Sequence, residues 1–211
     1  MSSVMLKQRD YVDFKDINVD EVRFALAERN GKTVIMVGYG PNMSSIAFVT
    51  PPAVTLWPKI SGDGNYGTFY GPKDPESAKF QIDICDQPIN GANEYFAQFK
   101  AFMDAFDEKI LNFVYDNQLR VLGRKNLKRE EVAMSQIRSV KPRYDKLSGE
   151  ITEHSFSMST YKYMPDGVGG KLERKIAVCD RDGKVVPNGR VVQGDVVRVT
   201  AFVSQVYTGV G

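Results

Sequence analysis

Residues Asn93–Leu119 read NEYFAQFKAFMDAFDEKILNFVYDNQL. Apolar side chains fall at Phe96, Phe99, Phe102, Met103, Phe106, Ile110, Phe113 and Val114, separated mostly by three or four positions. On an α-helix that spacing makes one stripe, with Gln98, Lys100, Asp104, Asp107 and Glu108 opposite. Asn93 supplies an N-cap, and Gly123 lies soon after the end. Five phenylalanines in one stripe form a core face rather than a ligand site. The stretch predicts one long helix, about 93–119, packed by its aromatic side.

Both flanks read as β-structure. Val19–Glu28 alternates through Val22, Phe24 and Leu26; Asn30-Gly31 is a two-residue hairpin turn, and Thr33–Gly38 pairs back. Ser45–Thr50 and Ala53–Ile60 are extended segments separated by Pro51-Pro52, whose missing donors mark a bend or an edge. Ser61–Pro75, rich in Gly, Pro and Asp, is a long loop. Ala78–Cys85 alternates again through Phe80, Ile82 and Ile84. Beyond the helix, Ser155–Met164 sets Phe156, Met158 and Thr160 against Ser157, Ser159, Tyr161 and Tyr163. Lys175–Cys179 is a short strand, Asp182-Gly183 and Asn188-Gly189 are turns, and Asp195–Tyr207 is one long alternating strand through Val197, Val199, Ala201 and Val203. The order is strands, helix, connector, strands. The expected fold is therefore mainly β, a small antiparallel barrel or curled sheet against one inserted helix, with residues 1–211 as a single domain.

A length of 211 residues is ample to bury a core, and 42% hydrophobic with 26% charged residues argues against disorder. Apolar runs such as Val34–Val37 fall far short of the roughly 20 residues of a membrane-spanning helix. Met1–Asp10 does not form a signal peptide, so a soluble intracellular protein without membrane contact is expected. Cys85 and Cys179 cannot make a disulfide framework. His154, the one histidine, cannot make a His-rich metal site, and no metal or cofactor is expected.

The net charge of +2 hides an uneven distribution. Residues 1–118 carry 11 basic and 16 acidic side chains, residues 119–146 carry 9 and 3, and residues 147–211 carry 8 and 7. The middle stretch holds Arg120, Arg124, Lys125, Lys128, Arg129, Arg138, Lys141, Arg143 and Lys146. It presents a local positive field, or else simply a solvated linker.

Several motifs fail on their context. Gly62-Asp-Gly64-Asn-Tyr-Gly67 fits a dinucleotide fingerprint by letter, but the segment after it, Thr68 to Pro75, cannot open the helix that would meet a pyrophosphate. Gly167–Lys171 lacks the Ser or Thr of a P-loop. Asn42-Met-Ser44 reads as a turn rather than a glycosylation site, and Asp180 with Asp182 as a hairpin turn rather than a calcium loop. The acidic cluster Asp10, Asp13, Asp16, Asp20 and Glu21 reads as a solvated face. His154 has Ser155 and Cys179 as candidate nucleophiles, yet no nucleophile elbow occurs. No enzyme is expected, though a distant pair of carboxylates is invisible to this reading.

The remaining signal is aromatic residues beside basic ones. Trp57 and Lys59 precede Tyr66, Phe69, Tyr70 and Lys73 in the Gly/Pro-rich loop; Arg143-Tyr144 and Tyr161-Lys-Tyr163 come later. Single-stranded nucleic acid needs cations along its phosphates and flat rings under its bases, each stack contributing roughly 1–3 kcal/mol whatever the sequence. The candidate phosphate contacts are Lys59, Arg124, Lys125, Lys128, Arg129, Arg138, Lys141, Arg143 and Lys146. The candidate stacking rings are Trp57, Tyr66, Phe69, Tyr70, Tyr144, Tyr161 and Tyr163.

The stretch Trp57-Pro-Lys-Ile-Ser-Gly-Asp-Gly-Asn-Tyr-Gly-Thr-Phe-Tyr-Gly-Pro-Lys-Asp-Pro, leading to Ala78-Lys-Phe, resembles single-stranded DNA-binding proteins of large DNA viruses. The closing Gly194-Asp-Val-Val-Arg-Val-Thr-Ala-Phe-Val-Ser-Gln-Val-Tyr-Thr-Gly looks like a late barrel strand of that group and of similar phage proteins. The resemblance implies an OB-fold that coats unwound DNA at viral replication sites, in replication, recombination or repair. Single-stranded DNA is the implied partner; RNA fits the same chemistry, and other replication proteins are further candidates. Proteins of this kind often carry an acidic C-terminal tail, whereas this chain stops at Val210-Gly211, so a trimmed end is expected. The competing class is a structural or protein-interaction module whose aromatic loop docks on another chain.

Overall fold

The computed structural model describes residues 12–29, 31–57, 79–89, 93–136, 138–161, 163–165, 170–173, 179–180, 182, 184, 191, 193–203 and 205–206. Its strands are, in chain order, β1 (Val12–Asp13), β2 (Val22–Arg29), β3 (Lys32–Tyr39), β4 (Ile46–Val49), β5 (Ala53–Trp57), β6 (Lys79–Cys85), β7 (Val140–Tyr144), β8 (Ile151–Tyr161), β9 (Tyr163–Pro165), β10 (Lys171–Glu173), β11 (Val196–Val197), β12 (Thr200–Val203) and β13 (Gln205–Val206). Between β6 and β7 come α1 (Glu94–Asp116), α2 (Gln118–Leu122) and α3 (Arg129–Ser135). The chain forms two compact units. Met1–Pro51, Gln98–Ser139 and Arg198–Gly211 make the first, and Pro52–Ala97 with Val140–Val197 the second.

In the first unit the β2–β3 hairpin pairs without interruption from Val22↔Tyr39 to Arg29↔Lys32, as a two-residue turn requires. The strand begins three residues later than its alternation suggests, because Val19–Glu21 forms a 3-10 turn capped by the Asn18 side chain. After β3 the chain folds back on itself through the Tyr39–Ser44 bridge, with Asn42 in the turn. A Cβ on Gly38 would lie 2.6 Å from the Met43 Cα, so only glycine permits that approach. The strand orders are β13-β3-β2 and β1-β4-β12.

The aromatic stripe of α1 packs as expected. Phe99 meets Phe14 edge-on at 5.3 Å between centroids, Phe102 meets Phe48 at 5.7 Å, and Phe113 lies 5.3 Å from Phe24. Such ring pairs add about 0.5–1.5 kcal/mol each beyond their buried area. One residue assigned to the polar face departs from that reading. Asp107 is only 8% exposed.

In the second unit the strand order is β11-β5-β6-β8-β7, antiparallel throughout. Ile84 and Phe156 are buried register partners, and Phe156 in turn opposes buried Val140. These three share the apolar face with Ile82 and Met158. Asn93 caps α1 as expected: its Oδ1 accepts from the Phe96 N–H at 3.1 Å, while its Nδ2 donates to the Pro52 carbonyl.

Three expectations are corrected. First, a closed barrel is not formed among the described residues; the strands fall into four sheets. Pro51-Pro52 lies where the chain leaves one sheet for another, since β4 and β5 belong to different sheets and different units. Second, Asp195–Tyr207 is not one strand but β11, β12 and β13, which join three different sheets. Between β11 and β12, buried Thr50 fixes the crossing: its N–H donates to the Val199 carbonyl, and its Oγ1 accepts from the Val199 N–H, both at 2.9 Å. Arg198 donates to the Thr50 carbonyl at 3.1 Å and pairs with Asp13 at 2.7 Å. Third, the stretch read as a basic connector, or else a solvated linker, carries regular structure: most of α2, and all of α3 and β7.

Candidate nucleic-acid interface

Lys59, Tyr66, Phe69 and Tyr70 lie outside the described residues, as does the glycine-rich 62–67 stretch. Trp57, Tyr161 and Tyr163 are placed by their backbones alone: Trp57 opposes Asp83, Tyr161 opposes Lys79, and Tyr163 opposes Glu173. The remaining candidates divide between the two units. Arg124, Lys125, Lys128, Arg129 and Arg138 belong to the first, and Lys141, Arg143, Tyr144 and Lys146 to the second.

In the first unit, Arg124 and Lys125 are exposed in the loop joining α2 to α3. Gly123 ends α2, its N–H donating to the Leu119 carbonyl, and Gln118 Oε1 accepts from the Leu127 N–H at 2.6 Å. The loop is thus tied at both sides. Lys128 is exposed and precedes α3; its N–H donates to the Glu131 carboxylate at 2.7 Å, a good helix start. Arg129 has a different use. Its guanidinium pairs with Glu108 and donates to Asn112 Oδ1 at 3.2 Å, strapping α3 to α1. At the far end of α3, Gln136 Nε2 donates to the Asp107 carbonyl at 2.9 Å. The Asp107 carboxylate accepts from the Ser139 N–H at 2.7 Å and from its hydroxyl at 2.6 Å. Burial pushes the Asp107 carboxyl above the ordinary 3.8, and the Ser139 bonds pull the other way.

In the second unit, the candidates converge on one hairpin. β7 is an edge strand, which is how it tolerates Pro142. Alternation places Lys141 and Arg143 on one face and Tyr144 on the other. Lys141 and Arg143 are exposed, Arg143 lying 3.5 Å from Glu153, its cross-strand neighbour. Tyr144 is 58% exposed and sits opposite Ile151, itself 53% exposed. Lys146 is exposed in the turn.

The turn is firmly built. Asp145 Oδ1 accepts from the N–H groups of Leu147 and Ser148 at 2.9 and 2.7 Å, and these bonds hold its carboxyl below the ordinary range. Asp145 N–H donates to the Glu150 carbonyl, and Gly149, at φ 72°, closes the loop by donating to the Asp145 carbonyl. At the apex Leu147 is 97% exposed. The sequence reading missed Leu147 and Ile151. The signal was there: a leucine inside Asp145-Lys-Leu-Ser-Gly149, where a turn normally carries polar residues.

Strand alternation separates His154 from Ser155. His154 and Ser155 are consecutive in β8 and face opposite sides of the sheet, and Ser155 opposes buried Cys85. His154 Nδ1 instead lies 2.9 Å from Asp86 Oδ2, while the His154 N–H donates to Asp86 Oδ1 at 2.8 Å. Those bonds tie β8 to the end of β6. Among the described residues there is no group of three or more His, Cys, Asp or Glu side chains arranged to hold a metal ion. No helix among them is long and apolar enough to cross a membrane.

No family model and no curated protein matches the chain. Among solved structures it is similar to the crystal structure of gp2.5, a single-stranded DNA-binding protein encoded by bacteriophage T7. The identity is 10%, the match covers 75% of this chain and 74% of that one, and the TM-score is 0.47.

Proposed function

We propose that the protein binds single-stranded DNA with little sequence preference, as a viral protein of OB-like fold that coats unwound strands during replication, recombination or repair. The observation that carries this reading is the β7–β8 hairpin. It presents exposed Lys141 and Arg143 on one face of an edge strand, an exposed Tyr144 on the other face at the strand's end, and Lys146 in the turn. Those are the two kinds of group a single strand requires, cations for phosphates and a flat ring for a base. In the first unit, Arg124, Lys125 and Lys128 are a separate group of exposed cations. The sequence resemblance to viral single-stranded DNA-binding proteins supports the same reading. The work is equilibrium binding and calls for no catalytic group or cofactor. RNA would satisfy the same cations and ring, and replication proteins are natural further partners.

The test is a titration of labelled oligo-dT at 50 and 200 mM salt, followed by anisotropy and by Trp57 emission. Three hairpin cations would give a slope of about −2 in log K against log salt, a loss of about 20-fold over that range. Quenching of Trp57 would add a stacking ring in β5. No binding at 50 mM would discard the reading and assign the hairpin to a protein partner.

A further inference from the structure

The hairpin carries more apolar surface than strand binding needs. Buried Val140 and Phe156 begin the β7–β8 pairing; its register shifts between Arg143 and Tyr144, beyond which exposed Tyr144 opposes exposed Ile151, and Leu147 lies in the turn that follows. Tyr144, Leu147 and Ile151 are 58%, 97% and 53% exposed, and it is this grouping of large apolar side chains on one hairpin, not the leucine alone, that marks an interaction surface. The turn bonds of Asp145 and Gly149 hold Leu147 in place.

From this geometry, and building on the DNA-binding reading above, we propose that Leu147 is a wedge that enters between stacked bases at the junction of single and double strand. The hairpin would then open duplex actively rather than only trap strands that open by themselves. Nucleic-acid binders of other folds insert leucine, isoleucine or phenylalanine between base steps in this way, and unstacking costs a few kcal/mol per step. The flanking charges fit such an occupant. Two residues of strand advance about 6.7 Å, so Lys141 and Arg143 stand on one face far enough apart to meet separate phosphates of one strand. Both are exposed and would hold neighbouring phosphates of the strand that the wedge parts. Of the neighbouring acids, Asp145 is engaged by the turn and Glu153 by Arg143 and Gln87, while Glu150 is exposed.

The experiment compares the full chain with Leu147→Ala and Leu147→Phe on two substrates. One is labelled oligo-dT, which reports strand binding; the other is a DNA stem-loop with a fluorophore and quencher at the stem end, which reports opening. The expected result is unchanged dT affinity for Leu147→Ala, within twofold, with stem opening slowed at least fivefold at equal dT occupancy; Leu147→Phe retains opening. Equal opening by wild type and Leu147→Ala would overturn the wedge and leave passive trapping by mass action. So would dT binding by the wild type without any stem opening. Failure of the wild type to bind dT at all would instead overturn the DNA-binding reading. The exposure of Leu147 makes both variants safe for folding, which an unchanged Tm verifies.

Discussion

Asp107 offers the sharpest check on the packing of the basic stretch. The residue is 8% exposed, and its carboxylate accepts two bonds from Ser139, at 2.7 and 2.6 Å. Hydrogen bonds to a charged acceptor contribute about 1.5–3 kcal/mol each, and an orphaned buried donor costs about 1–3 kcal/mol. Against these stands the burial of the carboxylate, which Asp107→Ala relieves. The balance predicts a loss of about 2–3 kcal/mol for Asp107→Ala, a fall in Tm of roughly 5–10 °C for a chain of this size. Asp107→Asn keeps one acceptor oxygen, and its amide can donate to the Ser139 hydroxyl, so it should lose no more than about 1 kcal/mol. The pH dependence has a definite sign. Burial raises the folded-state pKa above 3.8, so the neutral carboxyl is favoured in the fold. Its contribution is therefore full below about 3.8 and declines as pH rises through the folded value. Asp107→Asn has no such decline, and its deficit against wild type should shrink from pH 3.5 to pH 7. Urea unfolding of both variants at the two pH values is the assay. An Asp107→Asn deficit that grows with pH, or equal losses for Asn and Ala, would refute the account of a desolvated clamp.

Four further outcomes rest on the same geometry. Lys141→Ala with Arg143→Ala should cut the salt slope of oligo-dT binding to about −0.7, so that 50 to 200 mM salt costs only about threefold. Arg129→Ala, whose guanidinium is occupied by Glu108 and Asn112, should leave that slope unchanged while lowering the urea midpoint. Cys85 is fully buried and burial pushes its thiol up to about 11, whereas Cys179 is exposed. Ellman's reagent should accordingly find one thiol in the native protein and a second on unfolding, and Cys179→Ser should abolish the first. Gly38→Ala places a Cβ 2.6 Å from the Met43 backbone and should lose at least about 2 kcal/mol, measured by urea unfolding, because backbone rather than a flexible side chain must move.

The sequence made legible whatever is repeated along the chain. The stripe of α1 and the alternation of β2, β3, β6 and β8 each rest on several residues telling the same story, and those elements stand close to where the pattern puts them. The last strand shows the limit of that logic. Val197, Val199, Ala201 and Val203 alternate without a break, yet the chain changes sheets twice between Val196 and Val206. Extended backbone keeps its alternation while its partners change, so no local signal marks the crossing. Thr50 marks it in space, 149 residues away from Val199 in sequence. The structure within 119–146 was hidden for other reasons. The seven residues of α3 are too few for a helical period to emerge, and Pro142 argues against a strand everywhere except at an edge.

Asp107 and Leu147 are opposite failures of one rule, that charge goes out and apolar surface goes in. Asp107 stands four residues after Met103 and three before Ile110, so helical geometry alone places it beside the core stripe, and only its charge argued for the other face. Its partner Ser139 lies 32 positions on, where no spacing rule reaches. Leu147 sits in a turn whose polar neighbours predict solvent, and solvent is where it is found. A buried charge with two donors is accounted for once its partner is seen, and needs nothing outside the molecule. An exposed leucine on a firmly bonded turn gains nothing from the fold. Asp107 thus has a structural role within the fold, whereas the wedge proposed for Leu147 stands or falls with the stem-opening test.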